Sequence, residues 1–181
     1  EEAGLEDDVD FIVGTFSKSV GTVGGFCVSN HPQFDLLRLA CRPYIFTASL
    51  PPSVVASAKA SLELVEKGGA LRKRLMRNAE RLHSGLTALG FTLGGDVSPV
   101  VAVVAPDVEI GVAFWRGLMD GGIYVNLALP PATPQNFTLL RCSLCAAHTT
   151  EQVDRIIEVF AEVADSLGIL PKQSKKKTAL G

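Results

Sequence analysis

The segment with the most chemistry in it is Gly14-Thr-Phe-Ser-Lys-Ser-Val-Gly-Thr-Val-Gly-Gly25. It places Lys18 in a loop after a short apolar run, Val9 to Gly14, with hydroxyls at Thr15, Ser17 and Ser19 and glycines behind. A phosphate-binding P-loop would need Gly-Lys followed by Ser or Thr. Here Ser17 precedes Lys18, so that motif fails, and the dinucleotide-binding G-x-G-x-x-G is absent as well. The other use of such a lysine is as an amine that forms a Schiff base with an aldehyde. That chemistry needs a rigid loop at a strand end, small hydroxyl residues to hold an anionic group nearby, and glycines that let the backbone come close. Thr15 and Ser17, two residues apart on one side of an extended loop, are placed for it. The plain alternative is a solvated lysine in a Ser/Thr/Gly turn.

Other candidates carry less. Cys142-Ser-Leu-Cys145 has the spacing of a redox or zinc pair, but no second pair or histidine cluster accompanies it. Residues three apart on a strand over 137–144 would also face opposite sides of the sheet, so no metal is expected. Four cysteines are too few for a disulfide scaffold, and reduced thiols in a cytoplasmic protein are expected. His31 is expected at a helix start, His83 on an exposed helix face, and His148 in a structural place before a helix. Arg141, on a predicted strand, reads by itself as a strand-end arginine in a surface ion pair.

These residues need a scaffold, and the 181-residue chain is long enough for one domain or one and part of another. With 47% hydrophobic and 20% charged residues it is globular rather than disordered. A net charge of −2 argues against a phosphate-tracking nucleic-acid binder. The final residues from Pro171 hold four lysines and no acid, so the body through residue 170 stands at −6. This tail is expected to be solvated; contact with an anionic membrane surface is possible chemistry for Lys175–Lys177 but has no support elsewhere in the sequence. No apolar run approaches the roughly 20 residues of a membrane span, and no signal peptide is visible. The chain starts at Glu1 without a methionine, as a piece of a longer polypeptide would.

Strands are predicted at 9–14, 25–29, 91–93, 100–105, 123–127 and 137–144. A helix opening at Pro32 should stop at Arg42-Pro43. Another should run from Pro51-Pro52 to Gly68-Gly69. Leu71, Leu75, Leu82, Leu86 and Leu89 mark an amphipathic helix closed by Gly90. A helix over 109–120 ends at Gly121-Gly122. Thr149 with Gln152 makes a capping box for the last helix, with Val153, Ile156, Ile157, Phe160 and Leu167 as its core stripe. Helices and strands alternate, so the class is α/β or α+β.

Long stretches of this sequence also carry a resemblance. Gly14 to Cys27, Arg42-Pro-Tyr-Ile-Phe-Thr-Ala-Ser-Leu-Pro-Pro52, Tyr124-Val-Asn-Leu-Ala, Pro130-Pro-Ala-Thr-Pro and Leu140-Arg-Cys-Ser-Leu-Cys-Ala-Ala-His148 resemble the bacterial serine palmitoyltransferases. These form a branch of the α-oxoamine synthase family of fold-type-I, pyridoxal-phosphate-dependent enzymes. The resemblance covers most of residues 9–165.

It implies an α/β chain forming the C-terminal part of a fold-type-I transferase. Residues 1–64 would end the large cofactor domain, 65–168 would form the small C-terminal α/β domain, and 169–181 would be the tail. Lys18 would hold pyridoxal 5'-phosphate as an imine and then act as the base at the substrate Cα. Thr15 and Ser17 would bind the cofactor phosphate, and Thr47 would approach the phosphate of the neighbouring subunit in a homodimer with a shared site. Arg141 would pair with the substrate carboxylate. The implied reaction, in sphingolipid biosynthesis, condenses L-serine with palmitoyl-coenzyme A to 3-oxosphinganine. The cofactor-stacking histidine and the aspartate that pairs with the pyridinium nitrogen would both precede Glu1.

In one place the sequence departs from the pattern. The family carries an arginine just before Pro-Pro-Ala-Thr-Pro, where this chain has Leu129. Another α-oxoamine synthase, with a different amino acid or acyl donor, is therefore a second reading. A truncated, non-catalytic dimerisation partner is a third, although such homologues lose the lysine that is present here as Lys18.

Overall fold

The computed structural model describes residues 4–169. It divides the chain into two units, one through Gly69 and one from Ala70 onward. The architecture is mixed α/β, as the alternation of elements predicted. The lysine-rich tail lies outside the described residues.

In the first unit β1 (Ile12–Thr15) and β2 (Gly25–Val28) form an antiparallel hairpin, with Ile12 opposite Val28 and Thr15 opposite Gly25. Three helices follow: α1 (Leu36–Ala40), α2 (Arg42–Ile45) and α3 (Pro52–Lys67). The helix predicted from Pro32 starts four residues later, after a set of turns. The helix does end before Arg42-Pro43, at Ala40, but that pair also opens a new one. The break falls at Cys41, which is extended (φ −77°, ψ 99°), and Pro43 sits in the first turn of α2, where a missing N–H costs nothing. α3 opens at Pro52 and closes at Gly68, as predicted.

The second unit is a two-layer arrangement of helices against a sheet. Its elements are α4 (Gly69–Ala88), β3 (Val100–Ala105), α5 (Val108–Asp120), β4 (Asn126–Ala128), β5 (Thr138–Ser143) and α6 (Thr150–Ser166). The sheet order is β3-β5-β4, antiparallel throughout, with β5 in the middle. Valines in β3 alternate as a half-buried strand requires: Val101, Val103 and Ala105 are buried, while Val100 is exposed. With Leu140 and Cys142 of β5 they face a core of Leu82, Leu86, Phe114, Leu118 and Phe160. Phe91, Phe114 and Phe160 pack ring on ring at centroid distances of 5.3 to 5.9 Å, two of the three contacts edge-to-face. Burying such a side chain contributes about 1.5–3 kcal/mol.

Three strand and helix assignments shift. The strand predicted at 91–93 is reduced to a single bridge, Leu93 to Val103, flanked by hydrogen bonds from Gly94 N–H to Ala102 O and Val104 N–H to Thr92 O. The one predicted at 123–127 becomes β4 at 126–128, because the backbone before it bonds back to α5. There Ile123 N–H donates to Leu118 O (2.8 Å), and Trp115 Nε1–H donates to Val125 O (3.0 Å). In α6 the Thr149–Gln152 capping box is present in full. Leu167, however, is the C-cap and exposed, and Val159 and Ala164 are buried in the stripe.

Candidate active site

The loop joining β1 to β2 is built to present Lys18. Phe16 N–H donates to Gly24 O (2.9 Å), and Thr22 N–H donates to Phe16 O (3.0 Å), which carries hydrogen bonding beyond the strand ends. Gly21 N–H donates to Lys18 O (3.0 Å) and closes a turn. Phe16 and Val20 are buried with Ala58, and Leu50 packs against them. The residues two before and two after Lys18 are thus pinned, while Ser17, Lys18 and Ser19 stay exposed. Gly24 has φ +103°, a conformation that side-chain-bearing residues avoid. At Gly25 a Cβ would lie 2.6 Å from the Gly14 carbonyl oxygen, so the strands could not approach as they do.

On this loop the hydroxyls of Thr15 and Ser17 lie 2.8 Å apart. Thr15 Oγ also donates to Gly24 O (3.2 Å) and accepts from Ser17 N–H (3.3 Å). Two exposed hydroxyls, one bonded to the other and to its own loop backbone, can turn their O–H groups outward to an anion, and a primary amine stands on the next residue. That donor set fits the phosphate and the aldehyde of pyridoxal phosphate. Of the residues singled out from the sequence, the structure therefore brings together Thr15, Ser17 and Lys18.

Thr47 lies in the turn after α2, and its hydroxyl donates to the Pro43 carbonyl. Among the described residues no hydrogen bond ties it to Thr15, Ser17 or Lys18.

Arg141 belongs to the second unit, on the central strand β5, opposite Ala102 of β3 and Asn126 of β4. Its neighbours Leu140 and Cys142 turn into the core, so Arg141 points to the other face and is exposed. The surface ion pair expected of it is missing: among the described residues no carboxylate pairs with Arg141. Asn126, its cross-strand neighbour, was not singled out from the sequence. Only the strand register reveals it.

Cys142 and Cys145 are separated by the end of β5 rather than by alternation along one strand. Cys142 is buried, and burial pushes its thiol up to about 12. Cys145 is exposed in the turn beyond β5, where its N–H donates to His148 Nδ1 (3.2 Å). His148 is thus a structural acceptor, and its carbonyl accepts from the buried Asn78 side chain (3.0 Å). His31 is exposed and caps its own turn, accepting from Gln33 N–H (3.1 Å). His83, expected on an exposed face, is half-buried beside the Gly95 carbonyl (3.3 Å). Among the described residues no helix is long and apolar enough to cross a membrane.

Comparison with known proteins gives a consistent picture. The family described as aminotransferase class I and II matches residues 2–160. A serine palmitoyltransferase of Caulobacter vibrioides (strain NA1000 / CB15N) is 55% identical over 170 residues, which is 94% of this chain and 42% of that protein. The solved structure of Sphingomonas wittichii serine palmitoyltransferase superposes with a TM-score of 0.90 at 56% identity, covering 94% of this chain and 43% of that one. A high-resolution structure of serine palmitoyltransferase with pyridoxal phosphate gives 0.89 at 54% identity, covering 93% of this chain and 43% of its own. The chain thus spans about two-fifths of the length of the relatives it matches.

Proposed function

The chain belongs to the class I and II aminotransferase family, and from that premise we propose that it carries the lysine-bearing and carboxylate-binding part of a pyridoxal 5'-phosphate-dependent serine palmitoyltransferase. The observation that carries the reading is the Lys18 loop, with two hydroxyls 2.8 Å apart next to an exposed lysine on a clamped hairpin. The identity to serine palmitoyltransferases supports the choice of branch.

Pyridoxal phosphate, when bound, supplies an electron-accepting ring for the electron pair released at the amino-acid Cα. Lys18 would hold it through Nζ and, as a free amine, would take the proton from the amino-acid Cα. Thr15 and Ser17 would hold the phosphate by turning their O–H groups to it, Thr15 from the Gly24 carbonyl and Ser17 from Thr15 Oγ. In a cytoplasmic homodimer with a shared site, Thr47 would approach the phosphate held by the partner subunit and turn its O–H to it from the Pro43 carbonyl. Arg141, on a strand that fixes its backbone, meets the substrate carboxylate, for which a guanidinium is the geometric match. The net reaction joins L-serine and palmitoyl-coenzyme A, releasing carbon dioxide and coenzyme A and leaving 3-oxosphinganine.

The second reading, a synthase for a different amino acid, rests on Leu129, which puts an aliphatic side chain where the family carries an arginine. The longest natural polypeptide containing this chain, loaded with cofactor, separates the two. Given palmitoyl-coenzyme A and serine, glycine or alanine, it is expected to favour serine by about tenfold or more. A preference for glycine or alanine selects the second reading. No product with any of the three counts against both.

A further inference from the structure

On the face of the second unit's sheet opposite the helices, Arg141 has one polar neighbour directly across the ladder. Asn126 is its direct partner in the β4–β5 ladder. Opposed residues in an antiparallel pair place their side chains on the same side, with Cα atoms about 4.5–5.5 Å apart. Both residues are exposed. Around them the same face holds Ala102, Val104, Ala128 and Leu139, all half-buried and aliphatic, and the exposed pair Val100 and Ser143. No carboxylate pairs with Arg141 among the described residues. The chain therefore sets one cation and one amide side by side on a largely aliphatic patch, with the exposed Ser143 hydroxyl two residues along β5.

A guanidinium fork occupies one edge of a carboxylate and leaves acceptor positions on the far side of both oxygens. An amide can fill one of them with an N–H and can also accept from the guanidinium through its own oxygen, which fixes the plane of the fork. Leu129 can do neither. It follows the end of β4, and its carbonyl closes the turn to Ala132 N–H (3.0 Å).

We propose that Asn126 is the second member of the amino-acid carboxylate site, donating a side-chain N–H to the carboxylate that Arg141 pairs with. This rests on the assignment of Arg141 made above and goes further, naming a neutral donor in place of a second cation.

The test uses the longest natural polypeptide, loaded with pyridoxal phosphate, and reads binding from the absorbance change of the bound cofactor. L-Serine is compared with ethanolamine, which keeps the amine and hydroxyl but lacks the carboxylate. Asn126→Ala is expected to weaken serine about tenfold while leaving ethanolamine within about twofold. Arg141→Ala is expected to weaken serine more, about a hundredfold, again sparing ethanolamine. Asn126→Asp keeps the shape but repels the carboxylate, so it should weaken serine at least as much as Asn126→Ala, and it serves if the alanine variant does not fold. If Arg141→Ala weakens serine and neither Asn126 variant does, the inference fails and the assignment of Arg141 stands. If Asn126→Ala weakens serine and ethanolamine equally, the residue is structural and the inference fails as well. If Arg141→Ala leaves serine binding unchanged, the parent assignment fails and takes the inference with it.

Discussion

In the second unit three phenylalanine rings and a set of leucines pack beneath a three-stranded sheet, whereas in the first unit Phe16, Val20 and Ala58 are the buried apolar residues of the core and both strands of the hairpin are largely exposed. The small core of the first unit is spent on the loop itself, because Phe16 and Val20 bracket Lys18. The large core of the second supports a sheet and leaves Arg141 on its other side. Damage to the two regions should therefore read out differently. In the Lys18 loop it should appear as lost chemistry, in the core of the second unit as lost stability.

The largest effects come from crossing the two readouts. Phe160→Ala removes a fully buried ring from the second core and should cost about 3–5 kcal/mol. Trp115, the one tryptophan of the chain, lies in the second unit and reports its urea transition by fluorescence. Lys18→Ala should leave that transition in place and reduce product formation by about a thousandfold or more. If Lys18→Ala shifted the Trp115 transition, the division between the regions would not hold.

Gly24→Ala should act next, within the first unit. A side chain at φ +103° costs about 1–3 kcal/mol, and its Cβ would also lie 2.8 Å from Leu50. The expected result is weaker cofactor retention on dialysis with an unmoved Trp115 transition. Equal retention would mean that the loop tolerates a different backbone.

Thr149→Ala removes the hydroxyl that accepts from Gln152 N–H at the start of α6. It should lower the Trp115 transition by about 1 kcal/mol without touching cofactor attachment.

The smallest effect is a pH dependence. Arg81 donates to both oxygens of Asp154 (2.5 and 2.8 Å) and holds that carboxyl below its ordinary range. A depressed carboxyl contributes stability while ionised and loses it as pH falls through the native value. The pair is about half exposed, so the contribution is small. Between neutral pH and about pH 3, Asp154→Asn should therefore lose slightly less stability than the natural protein in urea titrations. An identical pH profile would mean that solvent screens the pair completely.

Much of this was readable in the sequence wherever the signal was local. Pro52 and Gly68 bound α3, the Thr149–Gln152 box starts α6, and the Thr15-Phe-Ser-Lys18 string marks the loop that the structure clamps. The failures occurred where non-local contacts decide. Pro43 could either stop a helix or open one, and nothing within the segment chooses between them. The backbone around Val125 goes to α5 instead of a longer β4, because Trp115 and Leu118 take its hydrogen bonds. Asn126 gains meaning only through its register with Arg141, which lies fifteen positions on across the proline-rich loop.

Whether Lys18 is the cofactor lysine can be read from the protein itself. The longest natural polypeptide is incubated with pyridoxal phosphate, reduced with borohydride and digested, and the labelled peptide is mapped by mass spectrometry. A single stoichiometric label is expected on Lys18. A folded full-length protein with no label, or with its label on another lysine, would contradict it.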